Sequence, residues 1–157
     1  MSREKERHYL EVLGDELSLA VGQAIWAFAR IEWLTYEYLK HLCRDELDIL
    51  MADQLFRART RVMRRLVERL EKAQDKKDQA LEWISQAEQL SDQRNTIVHN
   101  PWKIWIDFDR RDFMTEIQRY AKQHKKLDLK QVRAFTERAQ EVAAGLKESL
   151  AALTAEP

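Results

Sequence analysis

Cysteine, proline and glycine are all scarce: of 157 residues, one is Cys, two are Pro and three are Gly. A lone thiol excludes a disulfide scaffold, and Cys43 has no companion with which to build a zinc site. So few turn-formers exclude an all-β fold with many tight turns. No apolar run approaches the roughly 18 residues that would suggest a membrane span. The charged start, Met1 through Arg7, is unlike a signal peptide. Net charge is lacking as well. Twenty-seven basic residues balance 27 acidic ones, so bulk charge does not announce a nucleic-acid binder. What is present is 45% hydrophobic and 34% charged residues, a balance that excludes a disordered chain. The expectation is a soluble, cytoplasmic, all-α protein folded as one domain over residues 1–157.

Apolar periodicity places the elements. In the first 43 residues, Leu10, Leu13, Leu17, Val21, Ala24, Phe28, Ile31, Thr35, Tyr38 and Leu42 recur at steps of three and four, which is one buried helical stripe. Gly14 and Asp15 offer a place to break this helix, but the stripe crosses them in phase. Trp26 and Trp33 lie off the stripe and suggest a second buried face, against another helix or a second subunit. Residues 44–51 read as a connection with a helical turn. Asp53 through Lys72 predict a second helix with Phe56, Met63, Leu66 and Leu70 inward. Residues 73–77 read as a polar loop with Asp75 as a cap. A third helix carries Leu81, Ile84, Ala87, Leu90, Ile97 and Val98 inward, and Pro101 stops it near His99. The period then changes to two: Trp102, Ile104, Ile106 and Phe108 alternate with Lys103, Trp105, Asp107 and Asp109, a strand. Residues 109–112 would turn it into a hairpin returning through Phe113 and Met114. A last helix begins at Leu127 or Asp128, with Val132, Phe135, Ala139, Val142, Leu146, Leu150 and Leu153 on its buried face. The architecture expected is a bundle of about four long antiparallel helices with a short β-hairpin excursion after the third.

A bundle has no intrinsic chemistry, so function must come from a site. The segment Arg94-Asn95-Thr96-Ile97-Val98-His99-Asn100-Pro101-Trp102 places a permanent cation, an amide and an imidazole at a helix end. Five residues of ideal helix turn through about 500°, so Arg94 and His99 differ by about 140° and share no face. Asn95 and His99, four apart, do share one. Either the helix unwinds at His99, or two chains each contribute part of one site. Arginine and histidine without a metal suit RNA cleavage, because the ribose 2′-hydroxyl supplies the nucleophile. His99 would move protons, the role that histidine suits best among side chains near neutral pH. Arg94 would offer two parallel donors to the phosphate as charge develops there. Read without chemistry, the same segment is a capped helix end, with Asn95 and His99 bonded to backbone and Arg94 paired to a carboxylate.

Arg-Asn-x-x-x-His near the end of a helix, in a small helical domain, resembles the HEPN superfamily (higher eukaryotes and prokaryotes nucleotide-binding), whose motif is Arg, four to six residues, then His. Arg94, Asn95 and His99 fill those positions. The resemblance implies a homodimer whose two motifs face each other, acting without metal or cofactor as an endoribonuclease, often as a toxin or defence component with an antitoxin protein as partner. It equally implies that the chain could belong to the many members that are non-catalytic interaction or nucleotide-binding modules. Some members carry a Tyr two residues after the His as a target for nucleotide modification. Pro101 stands there, which argues against regulation of that kind. Arg3…His8 and Arg119…His124 have the same gap, but both lie in polar stretches and lack the following Asn.

Three further features are candidates. Glu32 lies beside the apolar stripe, either supporting Arg94 or reaching solvent at an edge. Arg57, Arg61 and Arg64 share one face of the second helix, with Arg65 adjacent; the stripe could neutralise an RNA backbone or be an ordinary solvated face. Trp102, Trp105 and Phe108 could stack bases, with Trp102 and Phe108 better read as core. Lys122, His124, Lys125 and Lys126 read as a solvated basic connection. No metal-ligand spacing or glycine-rich phosphate loop is found.

Overall fold

A computed structural model describes residues 3–107, 112–119 and 126–155. It is mostly helical, with five helices and one small antiparallel sheet. Helix α1 runs unbroken from Arg3 to Leu42. Gly14 does not end it. At 40 residues it is about 60 Å long. The inward stripe buries Leu17, Ala24, Phe28, Ile31, Thr35 and Tyr38, whereas Leu10 is exposed, since the helix outruns the rest of the core at its N-terminal end. Helix α2 (Leu47–Leu50) is the single turn within the connection. Helix α3 (Phe56–Arg69) starts three residues later than the pattern suggests.

Helix α4 (Gln74–His99) begins inside the segment read as a polar loop. Ala73 is its N-cap and Asp75 lies in its first turn rather than capping it. An acidic residue there still complements the positive end of the helix dipole. Its C-terminus falls where Pro101 requires. Asn100 is extended (φ −134°, ψ 139°), and its side-chain amide donates to the Thr96 carbonyl at 2.8 Å, satisfying one of the orphan groups of the last turn. Helix α5 (Leu129–Thr154) has a full capping box: Gln131 N–H donates to Asp128 Oδ1 at 2.7 Å, and Asp128 N–H donates to Gln131 Oε1 at 2.9 Å.

The sheet has one strand more than a hairpin. Strand β1 (Trp102–Asp107) pairs with β2 (Asp112–Gln118), and β2 pairs with β3 (Lys126–Asp128). Leu127, read as a helix start, lies in β3. That short strand shows no alternation of its own and is held by register, with Ile117 opposite Leu127, both buried. Three apolar positions of the patterns are not buried. Ile104 and Ile106 are exposed, as is Val98 at the end of α4. Phe108 and residues 109–111 lie outside the described residues, as do Lys122, His124 and Lys125.

One core joins these elements. Helix α1 packs on α5, α3 and α4, and α4 packs on α3 and α5. Phe28 sits at its middle, with ring centroids of Phe56 at 5.3 Å and Phe135 at 6.2 Å. Gly145 on α5 has a specific reason: a Cβ there would lie 2.2 Å from the indole of Trp83 on α4. The sheet sits beside the start of α1, where Phe113 stacks on Tyr9 at 5.1 Å. No helix among the described residues is long and apolar enough to cross a membrane.

Candidate functional site

The last turns of α4 present their side chains to different surroundings because each has a different angle about the axis. Ile97 and Thr96 are buried and anchor the turn, and the Thr96 hydroxyl donates back to the Asp92 carbonyl at 3.1 Å. Arg94 faces α1. One guanidinium nitrogen forms an ion pair with Glu32, and the other donates to Asn95 Oδ1 at 3.0 Å. The guanidinium carbon lies 5.1 Å from the centre of the Phe28 ring, within cation–π range. Glu32 is therefore the carboxylate that fixes Arg94, and not an edge residue left to solvent. Its position one turn from Phe28 on α1 gives the cation a carboxylate and an aromatic face on the same element.

His99 is exposed, and its imidazole has no partner among the described residues. The capped-end alternative is thus only half realised. Arg94 has its carboxylate, but Asn95 bonds Arg94 rather than backbone, and the backbone capping falls to Asn100. Helix α4 is regular up to His99. Unwinding does not bring the imidazole to the guanidinium, and within one chain the two stay about 140° apart round the axis. The structure brings Arg94, Asn95 and Glu32 together and leaves His99 far round α4 from Arg94.

His99 does share a face with another candidate group. Glu88, Asp92, Asn95 and His99 follow one another at steps of four, three and four along α4. Arg57, Arg61 and Arg64 of α3 line a groove of about 430 Å³ with Ser85, Glu88 and Gln89 of α4. His99 lies outside that lining, about 16 Å beyond Glu88 along α4 at 1.5 Å per residue. Its charge is lower than the arginine count suggests. Arg64 donates to Glu88 Oε2 at 3.0 Å, and the Thr60 hydroxyl binds the other oxygen of the same carboxylate at 2.7 Å. Arg57 and Arg61 stay exposed, and Arg65 is exposed outside the groove lining.

Arg59, which the stripe did not include, is the buried arginine of α3. Its Nε donates to the Thr35 hydroxyl at 3.0 Å, its guanidinium reaches the Gln54 carbonyl, and its guanidinium carbon sits 4.5 Å from the centre of the Tyr36 ring. Thr35, an oddity on an apolar stripe, is explained by it. The hydroxyl donates to the Glu32 carbonyl at 2.7 Å and accepts from Arg59. The only hint in the sequence is phase, since Arg59 falls between Phe56 and Met63 on the inward side of α3. Nothing local to α3 betrays Glu88, which lies 24 residues from Arg64.

Trp105 is partly exposed on β1, and Trp102 is only partly buried. Among the described residues, no group of three or more His, Cys, Asp and Glu side chains is placed to hold a metal ion. Comparison of the chain with protein-family models, curated proteins and solved structures gives no match.

Proposed function

We propose that this chain is an endoribonuclease of the HEPN type, a helical bundle acting as a toxin or defence RNase through a composite Arg/His site between two copies, without a metal. The observation that carries the reading is an asymmetry within one motif. Arg94 is held in place by Glu32, Phe28 and Asn95, whereas His99 is exposed and unused by the fold. Asn100 and Pro101 already terminate the helix, so the exposed His99 is not needed to cap it. The angular gap between the two groups in a straight helix is what a second chain would close.

In such a site the guanidinium donors of Arg94 not used by Glu32 and Asn95 bind phosphate oxygens. The 2′-hydroxyl gives up its proton to water and attacks the adjacent phosphorus, the P–O5′ bond breaks, and a 2′,3′-cyclic phosphate and a 5′-hydroxyl are released. His99 passes a proton to the departing 5′-oxygen, and Asn95 orients a partner in that transfer. Arg57 and Arg61 supply cations along the groove on the His99 face. An antitoxin protein is a fitting partner.

The test is RNA incubated with purified protein in chelator. Cleavage to cyclic-phosphate ends is expected, with His99→Ala and Arg94→Ala each at least about 100-fold slower. Co-expressing the two inactive variants rebuilds one intact site in each mixed dimer, so roughly a quarter of the activity returns. Wild-type rates for His99→Ala end the proposal. A second reading, a non-catalytic interaction or nucleotide-binding module, is favoured by the exposure of Trp26 and Trp33, and it predicts no cleavage by any variant.

A further inference from the structure

Helix α1 carries an apolar stripe that none of the described residues covers. Val12 is 53% exposed, Leu19 62%, Trp26 76% and Trp33 65%. They recur every seven residues, so they stay on one line that drifts only about 20° per heptad and spans about 32 Å. The line borders a groove of about 790 Å³ between α1 and α5, lined in part by Trp26, Trp33, Leu34, Ala143 and Leu150. A run of large exposed hydrophobics in one line is a mark of an interface.

The pattern of the stripe identifies the occupant. It is symmetric about the point between Gly22 and Gln23. Position 12 mirrors 33 and position 19 mirrors 26, so an antiparallel copy of α1 sets Val12 against Trp33 and Leu19 against Trp26. One charge pair on the stripe mirrors with opposite sign: Asp15 maps onto Arg30, both without a partner among the described residues. A parallel copy would set Asp15 on Asp15 and Arg30 on Arg30, which like-charge repulsion disfavours.

The dyad explains a glycine that the monomer does not need. A Cβ at Gly22 would meet nothing within 4 Å. Glycine in a helix interior costs about 1 kcal/mol relative to alanine. At the crossing point it lets two helices approach and leaves room for the indole of Trp26 from the second copy.

We propose that the outer face of α1 seats a second copy of this chain, antiparallel, about a two-fold axis between Gly22 and Gln23. This contact does not depend on the nuclease reading. Glu32 is one residue, about 100°, round α1 from Trp33, so the α4 motif lies outside the contact. A chain that also pairs its motifs has two distinct two-fold contacts and forms a tetramer or an open array.

Sedimentation of the full chain tests this, with circular dichroism confirming that each variant is helical. Trp26→Glu with Trp33→Glu is expected to halve the assembled mass. Asp15→Arg alone and Arg30→Asp alone are each expected to weaken association at least about tenfold, because two attractive pairs become two repulsive ones. The double swap, Asp15→Arg with Arg30→Asp, is expected to restore it. Wild-type protein that is monomeric at tens of micromolar, an assembled mass unchanged by the tryptophan variant, or no rescue by the double swap overturns the proposal. So does a monomer whose RNA affinity is lost on Trp26→Ala.

Discussion

Arg94 shows how far one side chain's role depends on partners remote in sequence. Its carboxylate lies 62 residues away and on a different helix. Both groups are less than a third exposed, so the pair is shielded enough to matter without being fully desolvated. Glu32→Gln is expected to lower stability by about 1–2 kcal/mol and to loosen Arg94. A double-mutant cycle with Arg94→Gln should return a coupling of roughly 1 kcal/mol. Strict additivity would mean that the two groups do not interact. Tyr38 is a second residue whose protonation the fold controls. Its hydroxyl donates to the Leu146 carbonyl at 2.9 Å, and burial pushes the phenol well above its ordinary value. Only the unfolded chain then ionises there as pH rises past about 10, so stability present below that pH is lost above it. Alkaline unfolding followed by circular dichroism should begin above pH 10 and be shallower in Tyr38→Phe. Equal steepness in the variant would show that burial of this phenol is not what limits alkaline stability.

Elements are set by short-range chemistry at their ends and by close approach at their middles. The end of α4 was readable because Pro101 disfavours helical backbone before it. The start of α5 was read one or two residues early, at Leu127 or Asp128, and the reciprocal cap of Asp128 with Gln131 is what fixes it. The start of α4 was not readable. Its N-cap is Ala73, which has no side-chain acceptor, so nothing in the local sequence separates loop from helix. The contact of α4 with α5 turns on Gly145. Gly145→Ala gains about 1 kcal/mol in helix propensity but drives a methyl into the Trp83 ring, and overpacking of that kind costs about 1–3 kcal/mol. A net loss of stability is expected in thermal or denaturant unfolding, recovered in part by adding Trp83→Leu. A more stable Gly145→Ala single variant would show that the two helices can part without cost.

For the whole molecule, zero net charge conceals local fields. Arg57 and Arg61 are exposed in a groove whose third arginine is neutralised by Glu88. Two phosphate contacts are therefore expected there rather than four. Arg57→Gln with Arg61→Gln should weaken RNA binding mainly at low salt and reduce the salt slope by about two. A salt-independent loss would assign those arginines to something other than phosphate.

The sequence by itself determined that the chain is mostly helical, most of the inward face of the long helices and where α4 must stop. Those outcomes follow from periodicity and from backbone sterics, which act between residues a few positions apart. It also brought Arg94, Asn95 and His99 into view. Tertiary structure decided which charges meet. Glu32 went to Arg94, Glu88 to Arg64 and Thr35 to Arg59, and His99 was left in solvent. Such pairings depend on the angles and offsets at which helices cross, and no periodicity within one helix encodes them.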